Sequence, residues 1–431
     1  MLFYYGIDGS LAVGAPWWRF LGILLQATGL AMAPSVWRRR AMAAEELAVG
    51  ALVGPGEAGQ YAVAATELAA EEANYIAGAF GKVVRLLAEV AISPEDAAKK
   101  ATKLVRQRGA KAILGGGGDP LTQAIEEASA REGVIYLNSM SRSEVLRGPR
   151  CRRLTFHVEA SLAMYTDTIA QWLVRRAKQP RWGFLTPDSE TGAEMERLAK
   201  RALRRHGGTP VAREVVPAST RDYRAALAAL AKAGPDVLII NLAGLSLLQA
   251  LAQFTELGLA VQVSGPVMEA VEFWQAEPAK LTGIWPALWS HGFRRYSGRE
   301  LNKRLAEALG KPAESHAWAS YTAMKAVWEA VFRGGQTDTA GLVSFFEKGH
   351  GVDAHKGQLL TFRPWDHQLR QPLMVLRCKV PAADATRWDV FELLGEVPLR
   401  GTPGESRAAI LDTLGLSKAE SGCRLGPVMT E

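Results

Sequence analysis

Ala110-Lys111-Ala112-Ile113-Leu114-Gly115-Gly116-Gly117-Gly118-Asp119-Pro120 joins an apolar, strand-length run to four glycines and a helix start. Aspartate is a good N-cap, and proline is tolerated at the first helical position because its missing N–H would have no partner there anyway. Strand, glycine turn and helix N-terminus together gather free backbone N–H groups and a positive dipole end around an anion or polar ligand.

The same alternation extends in both directions. Upstream, Leu47–Val53 reads as a strand ended by Gly54-Pro55-Gly56, and Ala58–Asn74 has helical spacing. A strand follows near Val83–Leu87, and Ser93-Pro94-Glu95-Asp96 opens a helix over 94–108 that stops at Gly109. The strand 110–114, the helix 120–131 and the strand Val134–Leu137 complete one unit. A second unit of similar size has helices over 160–178, 191–206, 223–233 and 245–257, with strands over 181–185, 211–216, 236–240 and 261–263. Helices over 298–309, 314–333 and 342–348 come next, then strands near 359–362 and 373–377. Such alternation predicts an α/β fold of parallel sheets covered on both faces, doubly wound, in two lobes with several crossings between them. A cleft between lobes is a favoured ligand site.

At 431 residues the chain is long for one domain and comfortable for two. Hydrophobic content of 48% with 22% charged residues excludes wholesale disorder. The net charge of +7 is dispersed, and no basic run alternates with aromatics, so no nucleic-acid partner is expected. Cys151, Cys378 and Cys423 form neither CxxC nor a zinc spacing. They allow one disulfide, the last two both falling late, without deciding it. Residues 1–43 contain an apolar stretch before Ala41-Met42-Ala43 and read as a secretory signal, which implies export to the periplasm. Arg38–Arg40 lie on the wrong side of that stretch, leaving a retained anchor or a misassigned start as alternatives.

The order of several segments resembles the type I periplasmic binding proteins of branched-chain amino acid ABC transporters, over roughly residues 46–380. The segments are Val53-Gly54-Pro55, the helix ending at Asn74, Ser93–Ala98, Ala112–Gly115, Ala233–Val237, Glu256–Leu259, Tyr321-Thr322-Ala323, and Gly357 with Phe362. Trp365–Pro372 is similar, more weakly, to a subgroup linked with pyrroloquinoline-quinone-dependent alcohol oxidation. The resemblance implies lobe 1 over 44–158 plus 284–358, lobe 2 over 159–283 plus 359–380, and a tail over 381–431. It implies hinge closure on a small-molecule ligand, no cofactor, a monomer, and an inner-membrane ABC permease as partner.

Departures from that family pattern concern the ligand. Where relatives offer hydroxyls after the third strand, this chain has Gly117, Gly118 and Asp119; an aspartate repels a carboxylate unless it serves only as the helix cap. After the fourth strand, Ser139 and Ser141 remain as donors and Arg142 supplies a charge, against the plainer reading of turn residues. Thr191 stands where an aromatic is usual, and Glu269 is the nearest acid to the usual ammonium site. Gln60 and Tyr61 fall at cleft-contact positions, and Trp285, with Trp289 and Trp274 nearby, lines either a pocket or the hinge packing. A free branched-chain amino acid is therefore a doubtful ligand.

Other classes fail on counting. A dinucleotide fingerprint needs a third glycine where Pro120 stands and an acid where Asn138 ends the next strand. No H-E-x-x-H occurs, and Ser246 lacks the second glycine of a nucleophile elbow. The expectation is a non-enzymatic solute receptor without a metal, the alternative being a sensory ligand-binding protein of the same fold.

Overall fold

A computed structural model describes residues 45–78, 81–399 and 404–425; the targeting segment expected over 1–43 lies outside the described residues. The first unit runs β1 (Glu45–Val53), α1 (Glu57–Ala77), β2 (Lys82–Val90), α2 (Pro94–Arg106), β3 (Ala112–Gly116), α3 (Asp119–Arg131), β4 (Ile135–Asn138) and β5 (Thr155–His157). Its five strands are parallel, in the order β2-β1-β3-β4-β5. Both faces are covered. Val49 and Ala51 pack in one core with Ala65 and Ala69 of α1, while Ala48 and Leu52 pack in another with Leu104 of α2 and Ile125 of α3. That double burial is why the strands read as unbroken apolar runs.

Local chemistry sets the helix ends. Ser93 Oγ accepts the Asp96 N–H at 3.2 Å, and Pro94 opens α2. Lys103 and Arg106 sit in its last turn against the negative dipole end. Ala97, Ala101 and Leu104, spaced four and three apart, are its buried stripe.

The decisive glycine run divides differently from the expectation. Gly115 and Gly116 belong to β3, pairing beside Leu52 and Val53. Their φ angles are 119° and 133°, and a Cβ on Gly115 would stand 2.3 Å from the Leu52 carbonyl oxygen. Only glycine fits there.

The second unit comprises α4 (Leu162–Ala170), β6 (Arg181–Asp188), α5 (Glu190–Arg205), β7 (Thr209–Pro217), α6 (Arg224–Lys232), β8 (Val237–Ile240), α7 (Gly244–Glu256), β9 (Gln262–Ser264) and α8 (Ala270–Phe273). Its sheet is also parallel, ordered β7-β6-β8-β9. The helix expected over 160–178 changes winding after α4, with residues 171–176 in π geometry. Beyond come β10 (Ile284–Ala287), α9 (Gly298–Leu309), α10 (Ser315–Gly334), α11 (Thr339–Glu347), β11 (Val352–Asp353), β12 (Leu359–Leu360), β13 (Leu373–Cys378), β14 (Phe391–Val397), α12 (Arg407–Leu411) and α13 (Lys418–Ser421). A third, antiparallel sheet is ordered β10-β13-β14.

The tail is built into the fold. β14 pairs with β13, and the segment after α12 lies along α4 and α5. The Gly415 N–H donates to Asp167 at 2.8 Å, Arg370 pairs with Asp412 at 2.8 Å, and Arg201 pairs with Glu420 at 2.8 Å. Cys423 is disulfide-bonded to Cys151, so the bridge joins the tail to the loop before β5 rather than joining the two late cysteines; Cys378 is free.

Candidate functional site

In both parallel sheets the strand order turns back on itself beside the first strand, β1 in one and β6 in the other. Loops leaving the carboxyl ends of the strands diverge at such a switch point and leave a crevice. A cavity of about 830 Å³ occupies it, within the size range of small-molecule sites. Its walls come from the segments after β1 (Gly54, Pro55, Ala58, Gly59), β3 (Gly117, Gly118, Asp119, Leu121) and β4 (Met140–Val145), and from those after β6 (Glu190, Thr191, Glu194, Met195), β8 (Ala243) and β9 (Val267, Glu269). Leu162 of α4 and His316 of α10 complete the lining.

Gly117, Gly118, Asp119, Ser141, Arg142, Thr191 and Glu269 therefore meet around one space. The other expected site residues do not line it. Ser139 is fully buried, its hydroxyl 2.9 Å from that of Ser320 on α10. Tyr61 is buried on the inner side of α1, and Gln60 is exposed one residue earlier. Trp285 is a core residue of β10, its indole N–H donating to the Thr282 carbonyl and its ring edge-on to Phe273. Trp289 likewise stacks on Trp318 inside the core.

Asp119 is not the cap of α3. Gly118 holds that position without a side-chain cap, and Asp119 opens the helix while its Oδ1 accepts the Ser141 hydroxyl at 2.7 Å. Asp119→Ala is thus expected to cost about 1–3 kcal/mol, through the lost charge at the helix N-terminus and the lost bond from Ser141. Chemical unfolding measures it, and a cost of the same size in a Ser141→Ala background would show that the bond contributes nothing.

Asn138 shapes the loop that carries Ser141 and Arg142. Its Oδ1 accepts the N–H groups of Met140 and Ser141 at 3.1 and 2.9 Å, and its Nδ2 donates to the Ser141 carbonyl at 2.8 Å. Arg147, buried beneath the loop, donates to the carbonyls of Ser143, Ser141 and Glu159. The loop is held from below, so Arg142 is aimed rather than free.

Arg142 Nη1 donates to Glu269 Oε1 at 2.5 Å, and its Nε lies 3.7 Å from Glu159. His316 Nε2 meets the second Glu269 oxygen at 3.1 Å. Tyr165 donates to Glu159 at 2.6 Å, beneath the Arg142 guanidinium. Burial alone would raise the Glu269 pKa, but Arg142 and His316 outweigh it and hold the carboxyl at about 2. Burial would lower His316, yet Glu269 and Glu314 lift it to about 9. Glu269, Glu314 and His316 could each turn one atom towards a metal. Both Glu269 oxygens already serve Arg142 and His316, however, and Glu314 caps α10.

These shifts fix a pH dependence. His316 titrates higher in the fold than its ordinary 6.5, so its contribution is complete below about 6.5 and is lost as pH rises through about 9. Glu269 titrates below its ordinary 4.5, so its contribution holds above about 4.5 and is lost as pH falls through about 2. His316→Gln is expected to cost about 3 kcal/mol near pH ~6 and almost nothing near pH ~10, read from denaturant unfolding at each pH. A pH-independent loss would mean that His316 only packs.

Sequence reasoning did not single out His316, Glu144 or Glu190. The acidic first residue of a helix is a common dipole device, which hid Glu190. His316 carries only the local signal of a helix start, two residues after the capping Glu314.

Comparison with known proteins agrees with this geometry. A family model described as periplasmic binding protein matches residues 48–385. Among solved structures, a branched-chain amino acid ABC transporter periplasmic ligand-binding protein from Burkholderia xenovorans LB400 is similar at 19% identity and a TM-score of 0.76, covering 81% of this chain and 95% of that one. An amino acid ABC transporter substrate-binding protein from Pseudomonas fluorescens Pf-5 is similar at 20% identity and 0.74, over 89% and 100%. A solute binding protein of an ABC transporter from Rhodopseudomonas palustris BisB5, in complex with 3,4-dihydroxy benzoic acid, is similar at 18% and 0.67, over 84% and 99%. No curated protein gives a significant match.

Proposed function

We propose, because the chain belongs to the periplasmic binding protein family, that it captures a small organic solute between two lobes and delivers it to an inner-membrane ABC permease. The observation that carries this reading is the cavity at the strand ends of both parallel sheets, walled by both. Residues 44–158 with 284–358 would move against 159–283 with 359–380, as one chain without a cofactor, and no chemical step would follow binding. Gly118 and Thr191 would donate hydrogen bonds and Gly117 and Ser141 would accept them, while Leu121, Met140 and Met195 cover the apolar part of the solute.

Export to the periplasm fits the Cys151–Cys423 bridge, since disulfides persist in oxidising compartments. Among the described residues no helix is long and apolar enough to cross a membrane. A thermal-shift screen of small organic molecules, followed by solution scattering of each hit, tests the reading. At least one compound is expected to raise the melting temperature and reduce the radius of gyration, since a ligand preferring the native state must stabilise it. A screen without any stabiliser defeats solute capture.

A further inference from the structure

Five carboxylates line the cavity (Asp119, Glu144, Glu190, Glu194 and Glu269), and the cationic side chains among its described lining are Arg142 and His316. Six of these seven charges have a hydrogen-bonding or ionic partner within the protein. Arg142 and His316 take one oxygen each of Glu269, and both stand 3.7 Å from Glu159. Asp119 accepts from Ser141, Glu144 accepts the Ala163 N–H at 2.6 Å, and Glu194 pairs with Arg197 at 2.7 Å. Glu190 lies in the first turn of α5, against the positive end of that helix.

Resting on the solute-capture reading above, we propose that the cleft selects an uncharged, hydrogen-bonding organic solute, such as an alcohol, amide or ketone, and that Glu269 acts as the internal counter-ion of Arg142 and His316 rather than as the acceptor of a ligand ammonium. An ammonium bound at Glu269 must take that carboxylate from two cations whose side chains are 12% and 7% exposed. Removing one member of a buried pair leaves its partners uncompensated, which is strongly unfavourable. A ligand carboxylate fares no better. To reach Arg142 it must displace Glu269 and then lie in a cavity whose ionised walls, apart from Arg142 and His316, are carboxylates.

Uncharged groups meet neither obstacle. A ligand hydroxyl or amide N–H can donate to Asp119 or Glu190, and a hydroxyl or carbonyl oxygen can accept from Thr191, with no ion pair broken. The specificity-determining residue is then Arg142. It keeps Glu269 occupied, and its removal frees one oxygen of that carboxylate.

The test uses matched sets on one carbon skeleton: 3-methyl-1-butanol, isopentylamine, isovalerate and leucine, and 2-phenylethanol, 2-phenylethylamine, phenylacetate and phenylalanine. These join the wider screen, and hits from the full chain are ranked by apparent affinity and sorted by charge at neutral pH. The best hits are expected to be uncharged, at least tenfold tighter than their ionised counterparts. In Arg142→Ala, amine binding is expected to rise at least tenfold relative to the wild type. A best ligand that is an amine, a carboxylate or an amino acid overturns this inference and leaves solute capture standing. The absence of any ligand overturns both. The wild-type ranking decides the matter even if Arg142→Ala does not fold.

Discussion

Asp366→Ala is expected to lower the unfolding free energy by about 3–5 kcal/mol, the cost of leaving one member of a buried ion pair alone. Arg363 binds Asp366 through two parallel hydrogen bonds, Nε to Oδ1 at 2.9 Å and Nη2 to Oδ2 at 2.5 Å. The two side chains are 3% and 1% exposed, so water cannot replace the lost carboxylate. Asp366 also accepts the Gln368 N–H at 3.1 Å, which holds the turn between Phe362 and Leu369. The effect should spread to the tail, because Arg363 Nη1 donates to the carbonyls of Leu414 and Leu416. Denaturant unfolding measures the loss, and hydrogen exchange should show earlier opening of residues 411–416. A loss below about 1 kcal/mol would mean that the pair is hydrated, as exposed pairs are.

Replacing Cys151 and Cys423 together by serine is expected to cost about 2–5 kcal/mol. The bridge closes a loop across a separation of 272 residues, and long loops restrict the unfolded chain most. A second effect should be local. Without the bridge the tail keeps its pairs to Asp167, Arg201 and Arg370, but loses its tie to the loop that carries Glu144 and Val145 into the cavity. Reducing the wild-type protein should reproduce the change in midpoint, whereas serine at Cys378 should not. An unchanged midpoint in the double variant would show that the noncovalent contacts alone set the tail's stability.

The Asp366 and Cys423 contacts also mark where the chain was hard to read. The stretch Trp365–Pro372 carried a family likeness, yet its residues bond to β5 and to the tail instead of lining the cavity. β10 escaped detection because four residues with Pro286 among them make a weak strand signal. Trp285 looked like a cleft aromatic for the same reason. Nothing local tells which face of so short a strand meets the core, and the answer comes from Phe273 and the antiparallel partner β13. By contrast, Ser93 acts as the sequence indicates for a helix start, since a cap involves only the next three residues. Asp119 matched that local rule and broke it, because a hydroxyl 22 residues away took its carboxylate.

By itself the sequence determined the alternation of strands and helices, the doubly wound class and the failure of the dinucleotide fingerprint. Those properties rest on periodicity, glycine conformations and helix ends, all interactions among near neighbours in the chain. Only the tertiary structure decided that Cys151 meets Cys423, that Asp119 serves Ser141, and that Glu269 is shared by Arg142 and His316. Their chemistry is set by distance and burial. Residues 127 apart become a 2.5 Å ion pair only after two parallel sheets have brought their loops to one crevice.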